Sequence, residues 1–139
     1  MAAYFRFDRQ EEMARWVQEK IGCEAFQNYA AIGWEEDGRL IAGVVYHDYL
    51  PKQKAITASI AGEGRWATKR SLNGFFRYPF MQLQVNRITV CVRADNPRAL
   101  DMDRRLGFVE EGRLRLGYGD ADMIVFGMLK HECRWLRWD

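Results

Sequence analysis

The sequence predicts a mixed α/β (α+β) fold, with a central, mostly antiparallel sheet and flanking helices. Three observations predict it. Two bulky runs, residues 26–36 and 39–49, are separated by Asp37-Gly38, a strong short-range hairpin signal. A third run, residues 54–60, alternates and extends the hairpin to a three-strand meander. Later, a strand-like stretch at 87–92 runs through Asn96-Pro97 into a short apolar-striped helix that Gly107 ends. At 139 residues the chain fits one domain, residues 1–139, and is long enough to bury a core. An apolar content of 48% argues against disorder.

Taken in order, residues 3–7 form a short strand carrying Tyr4, Phe5 and Phe7. Asp8 stands three residues before Glu11, a capping-box pattern that opens a helix. Met13, Trp16, Val17 and Ile21 fall at helical spacing, and Gly22 closes the run. The meander follows, with Pro51 and Lys52 breaking its second strand. Residues 66–83 read as a helix beginning near Thr68, with Leu72, Phe75, Phe76, Phe80 and Leu83 on one face. Pro79 within it should end or kink the helix. The 87–92 strand and the 97–106 helix come next. Two strands near 109–116 and 123–130 close the order, joined by a turn at 117–121. No internal repeat or low-complexity segment interrupts it.

Composition excludes several classes. A net charge of +2 does not indicate nucleic acid. Three widely spaced cysteines, Cys23, Cys91 and Cys133, do not make a disulfide framework. Cys91, inside a strand pattern, reads as buried and inert. His131-Glu132-Cys133 matches no metal-ligand spacing, so no metal site is expected. The start lacks a signal-peptide core, and no apolar run reaches the ~20 residues of a membrane helix. The expected location is the cytoplasm.

Asn96, Ala99 and Leu106-Gly107-Phe108, followed by EEGRLR at 110–115, all after a strand, resemble the GCN5-related N-acetyltransferases (GNAT). The order of elements is also that of the family's fold. The tail MLKHECRWL, residues 128–136, resembles phage-encoded members, which would put the protein in a host cytoplasm.

The resemblance implies acetyl-coenzyme A as cosubstrate, bound where the strands at 54–61 and 87–92 splay apart. It implies that backbone groups of Ser59, Ile60 and Ala61 pair with the pantetheine arm as an added strand would. The pyrophosphate is then expected at the next helix's N-terminus. The family's glycine-rich loop is replaced here by Arg65-Trp66-Ala67-Thr68-Lys69-Arg70. Thr68 can cap that helix, while Arg65, Lys69 and Arg70 bring positive charge. A solvated basic helix start fits the same residues. Asn96 either contacts pantetheine or acceptor, or caps the helix before Pro97, and one amide can do both. Ala99 is small where cofactor would pack.

Acetyl transfer to an amine needs a base and help for the departing thiolate. Glu63, just past the third meander strand, is the first base candidate; His47 and Asp48 are the second. The family's acid, a Tyr, is replaced by Asp103, and an ordinary Asp is ionised at neutral pH. Tyr118 substitutes only if its loop folds over the cleft. The implied reaction is direct transfer to a primary amine, on a small molecule or a protein. The rival readings are a non-catalytic acyl-CoA-binding module and a phage nucleic-acid or virion-associated factor using Arg65, Lys69, Arg70, Arg104 and Arg105. Trp135 and Trp138 either pack back on the sheet or meet a second copy in a homodimer.

Overall fold

The computed structural model describes residues 2–137; Trp138 lies outside them. Among the described residues there are seven strands: β1 (Ala3–Arg6), β2 (Ala30–Glu36), β3 (Arg39–Leu50), β4 (Ala55–Gly62), β5 (Arg87–Arg93), β6 (Val109–Leu114) and β7 (Met123–Leu129). They form one sheet in the order β1-β2-β3-β4-β5-β7-β6. All neighbours run antiparallel except β4 and β5, which are parallel. The hairpin at Asp37-Gly38 has both residues at positive φ, 53° and 79°, as a type I′ turn requires.

Helix α1 (Gln10–Ile21) lies on one face, where Met13, Ala14 and Val17 pack on Ala31, Val45 and Ala61. Its start differs from the expected capping box. Arg6 takes the Asp8 carboxylate at 2.9 Å, and Arg9 holds the N-cap position in the left-handed region. Gln10 anchors the helix instead, bonding both the N–H and the C=O of Ala31. The segment before Ala30 is not strand, so β2 is shorter than the 26–36 run suggested.

Helix α2 (Lys69–Arg77) covers the other face with Leu72, Phe75 and Phe76, and α3 (Pro97–Leu106) adds Leu106 there. Pro79 ends α2 at Arg77, and the chain widens into a π-helical turn, Tyr78–Gln82. Proline has no N–H to give the carbonyl four residues back, that of Phe75. The buried Tyr46 hydroxyl donates to that carbonyl at 2.5 Å. After β7, two 3₁₀ turns, Lys130–Glu132 and Arg134–Leu136, bring the tail back over α2 and α3. Cys133 is buried there, the Trp135 indole donates to the Leu106 carbonyl, and Asn73 bonds the Trp135 carbonyl. Cys91 is exposed, contrary to expectation, because its side chain leaves the sheet opposite to buried Val90 and Val92.

Candidate active site

The parallel pair decides the site. β4 and β5 pair only at Ala55–Arg87, Ile56–Ile88 and Thr57–Thr89. β4 continues to Gly62 paired with β3 alone. Beyond Thr57 its other edge is open, and every second residue presents N–H and C=O to the gap. Ser59, Ile60 and Ala61 lie in that open strip. Above it is a groove of about 680 Å³. It is lined by Ile60, Ala61 and Gly62 of β4, by Asn96 at the α3 cap with Ala99 and Met102 of α3, and by Trp66 and Ala67.

The charge on the groove comes from an unexpected quarter. Lys20, Arg98, Arg105 and Arg134 line it, whereas Arg65, Thr68, Lys69 and Arg70 lie outside its wall. The Arg70 guanidinium sits 5.3 Å from the centre of the Trp34 ring, on the α2 face of the sheet. Trp66 is buried against Phe75 rather than displayed in a loop. Gly62 permits this, since a Cβ there would collide with the Trp66 indole. Thr68 caps α2, its hydroxyl accepting from Ser71 N–H while Ser71 Oγ accepts from Thr68 N–H. Asn96 caps α3 by accepting the Ala99 N–H at 3.1 Å, and its amide NH₂ is left for the groove.

Of the base candidates, Glu63 is already engaged. Lys20 Nζ and Arg39 Nη1 hold its carboxylate at 2.6 and 2.5 Å. These contacts, that of Lys20 first, pull its pKa below the usual value and make it a weaker base. His47 is arranged differently. Its Nδ1 lies 2.8 Å from Asp48 Oδ2 and its Nε2 lies 3.0 Å from Ser59 Oγ. Adjacent strand residues normally face opposite sides of a sheet. Asp48 reaches its neighbour because a bulge between His47 and Leu50 puts it at φ 52°.

No family model matches the chain. Over 104 residues it is 29% identical to Bacillus subtilis YdaF, provisionally named a ribosomal N-acetyltransferase. That match covers 69% of this chain and 57% of the relative, so the chain spans little more than half the relative's length. Among solved structures it is similar to the spermidine/spermine N-acetyltransferase SpeG of Vibrio cholerae, with a TM-score of 0.75 and 17% identity, over 94% of this chain and 96% of that one. A dodecameric form of the Vibrio cholerae spermidine enzyme matches with a TM-score of 0.74 and 17% identity, covering 92% and 94%. The fold is that of the GCN5-related N-acetyltransferases. At these identities the structural likeness fixes the architecture.

Within the acetyltransferase fold, α3 carries a residue whose state the sequence did not show. Asp103 lies one turn beyond Ala99 and one turn before Leu106, both of which line the groove. It is 4% exposed, and its Oδ1 has no hydrogen-bond partner among the described residues. Desolvation pushes its pKa up to about 7. The expectation of a permanently ionised Asp103 is therefore corrected: burial holds it protonated into the neutral range. Tyr118 is half-buried, its ring 5.5 Å from the Arg93 guanidinium, which Asp95 and Asp120 hold in turn. Burial, then the nearby Cys91, push its phenol up to about 12. His47–Ser59 and buried Asp103 are the features that sequence reasoning undervalued. The only sequence signal for the first was period-two spacing on two strands predicted to pair.

Proposed function

We propose that the chain is an acetyl-CoA-dependent N-acetyltransferase, acting as one domain over residues 1–139, with a primary amine as acceptor. The unpaired strip of β4 beside the groove is the observation that supports this most. An extended acyl-pantetheine arm can join it through backbone hydrogen bonds, as β-augmentation does elsewhere. Arg98 and Arg105 suit the cofactor's phosphates. Open N–H groups of the strip stabilise the oxyanion formed when the thioester carbonyl is attacked. Binding holds the reactants together, a large part of such catalysis.

In this reading His47 replaces Glu63 as the base. Its imidazole is held by Asp48 and turned toward the open strip, while Glu63 is neutralised by two cations. Asp103 is the better-matched donor to the departing thiolate. A carboxyl near 7 gives up its proton to a thiolate readily, and a phenol near 12 does not. Tyr118, packed beside Arg93, is then given no proton-transfer step. Relatives named for spermidine and for a ribosomal substrate make polyamines and protein amines the first acceptors to try. We read the enzyme as cytoplasmic, in a host cell if phage-borne.

Calorimetric titration with acetyl-CoA, with coenzyme A and ATP as controls, tests the reading. Saturable binding selective for coenzyme A compounds, followed by amine-dependent thiol release, is expected. Binding with no release in any amine screen would leave an acyl-CoA-binding module. No binding would refute the cofactor site.

A further inference from the structure

Behind the groove the core is not completely filled. A cavity with about 10 Å³ of free space lies under α2, among residues of β4, β5 and α3. That is the room of roughly one water-sized sphere, and a hole with apolar walls stays dry. Ile60, Trp66, Leu72 and Leu106 line both the groove and the cavity, so the two spaces share one apolar wall. The hydroxyl of Tyr46, another lining residue, already donates to the Phe75 carbonyl.

The alternation of β4 decides what reaches this space. Successive side chains of a strand point to opposite faces of the sheet. Ala58 and Ile60 turn into the cavity on the α2 face. Ala61 packs with Met13 and Val17 of α1, and Ser59 meets His47 on that same face. Ile60 also belongs to the strip that β5 has left open. A thioester bonded to the backbone of that strip lies beside the shared wall. Its acyl chain can turn to the apolar α2 face, which leaves the α1 face for the amine. An empty apolar hole forfeits dispersion contacts for the side chains around it. A methyl group entering from the groove restores them and leaves water as it does so. Ala58, small and buried, keeps the space open.

We propose that this cavity receives the end of the acyl chain and makes the protein selective for acyl length, so that acetyl and propionyl thioesters of coenzyme A fit and longer ones do not. This rests on the acetyltransferase reading above and adds no chemical step to it. The acetyl methyl lies at the shared wall, and the one further carbon of propionyl takes the free space. A butyryl chain needs room for another carbon. Only displacement of a wall residue would give it, and Trp66 is held against Phe75 with ring centres 5.9 Å apart. A core packed to crystal density resists such movement.

The test is calorimetric titration of the whole chain with coenzyme A and with its acetyl, propionyl, butyryl and hexanoyl thioesters, which needs no acceptor amine. Propionyl-CoA should bind about fourfold more tightly than acetyl-CoA, the effect of burying about one methylene. The gain should end there, with butyryl-CoA and hexanoyl-CoA binding no more tightly than acetyl-CoA. Ala58→Val should fill the cavity and cancel the propionyl advantage. Leu72→Ala makes the opposite change and should move the tightest binding to butyryl-CoA or beyond, so the ranking is still tested if one variant fails to fold. Affinity that climbs evenly from acetyl to hexanoyl would mean an open apolar surface and would overturn the proposal. Equal affinity for acetyl-CoA and propionyl-CoA, or a folded Ala58→Val protein with the wild-type ranking, would do the same. Absence of binding by coenzyme A and by every thioester would overturn the parent reading, and this one with it.

Discussion

Replacing Asp103 with Asn removes the buried carboxyl of α3 with little change of shape. Burial pushes the wild-type carboxyl up to about 7 in the folded chain, against an ordinary value of 3.8. Between those values the native state holds a proton that the unfolded chain has released. Native binding of the extra proton makes stability fall as pH rises from about 4 to about 7, and level off above. Carried through proton linkage, the cost to the native state is about 1.5 kcal/mol near pH 5 and about 4 kcal/mol near pH 8. The Asn variant carries no such dependence at this position. Its stability relative to wild type should therefore rise by about 2.5 kcal/mol from pH 5 to pH 8. Urea unfolding of both proteins at several pH values measures this, and taking the difference cancels other titrating groups. A gap that stays constant with pH would refute the claim that burial holds Asp103 protonated. The same substitution should remove an acidic-form requirement from the pH profile of turnover.

Other expectations concern the groove and the core. Replacing Arg98 and Arg105 together with Ala should weaken coenzyme A binding about tenfold with little change in melting temperature, while Arg70→Ala should leave affinity alone; calorimetry separates the two. Glu63→Gln should leave the pH dependence of turnover in place, whereas His47→Gln should slow turnover by about 100-fold; steady-state rates across pH decide which is the base. Gly62→Ala should cost about 1–3 kcal/mol in denaturant unfolding, because its methyl group enters the Trp66 indole. Truncation after Lys130 should lower stability sharply instead of sparing the fold, since Cys133 and Trp135 pack on the body of the protein; a retained melting transition would contradict that.

Much of the architecture was legible because its signals are local. Asp37-Gly38 needs only its own backbone preferences to turn a hairpin, and Thr68, Asn96-Pro97 and Gly107 mark helix ends in the same way. The strand and helix periods placed Ser59, Ile60 and Ala61 on the meander's last strand and Asn96 and Ala99 at the start of α3. Within the 66–83 run the start near Thr68 and the interruption at Pro79 were legible, but the α-helix stops at Arg77 and the π turn that follows was not foreseen, because the Phe75 carbonyl there meets Tyr46 from a distant strand. Sequence charge pointed to Arg65, Lys69 and Arg70 for the groove, yet side-chain direction is set by packing, and Trp34 takes Arg70 away.

By itself, then, the sequence determined the order of elements, the turns and caps between them, and the strand and helix that flank the groove. Tertiary structure alone decided which ionisable groups could act. Glu63 met Lys20 and Arg39 from other elements, His47 met Ser59 across a strand pair, and Asp103 lost its water under the surrounding sheet and helices. Backbone preference is a property of a few neighbouring residues, whereas the protonation state of a side chain is a sum over everything the fold brings near it.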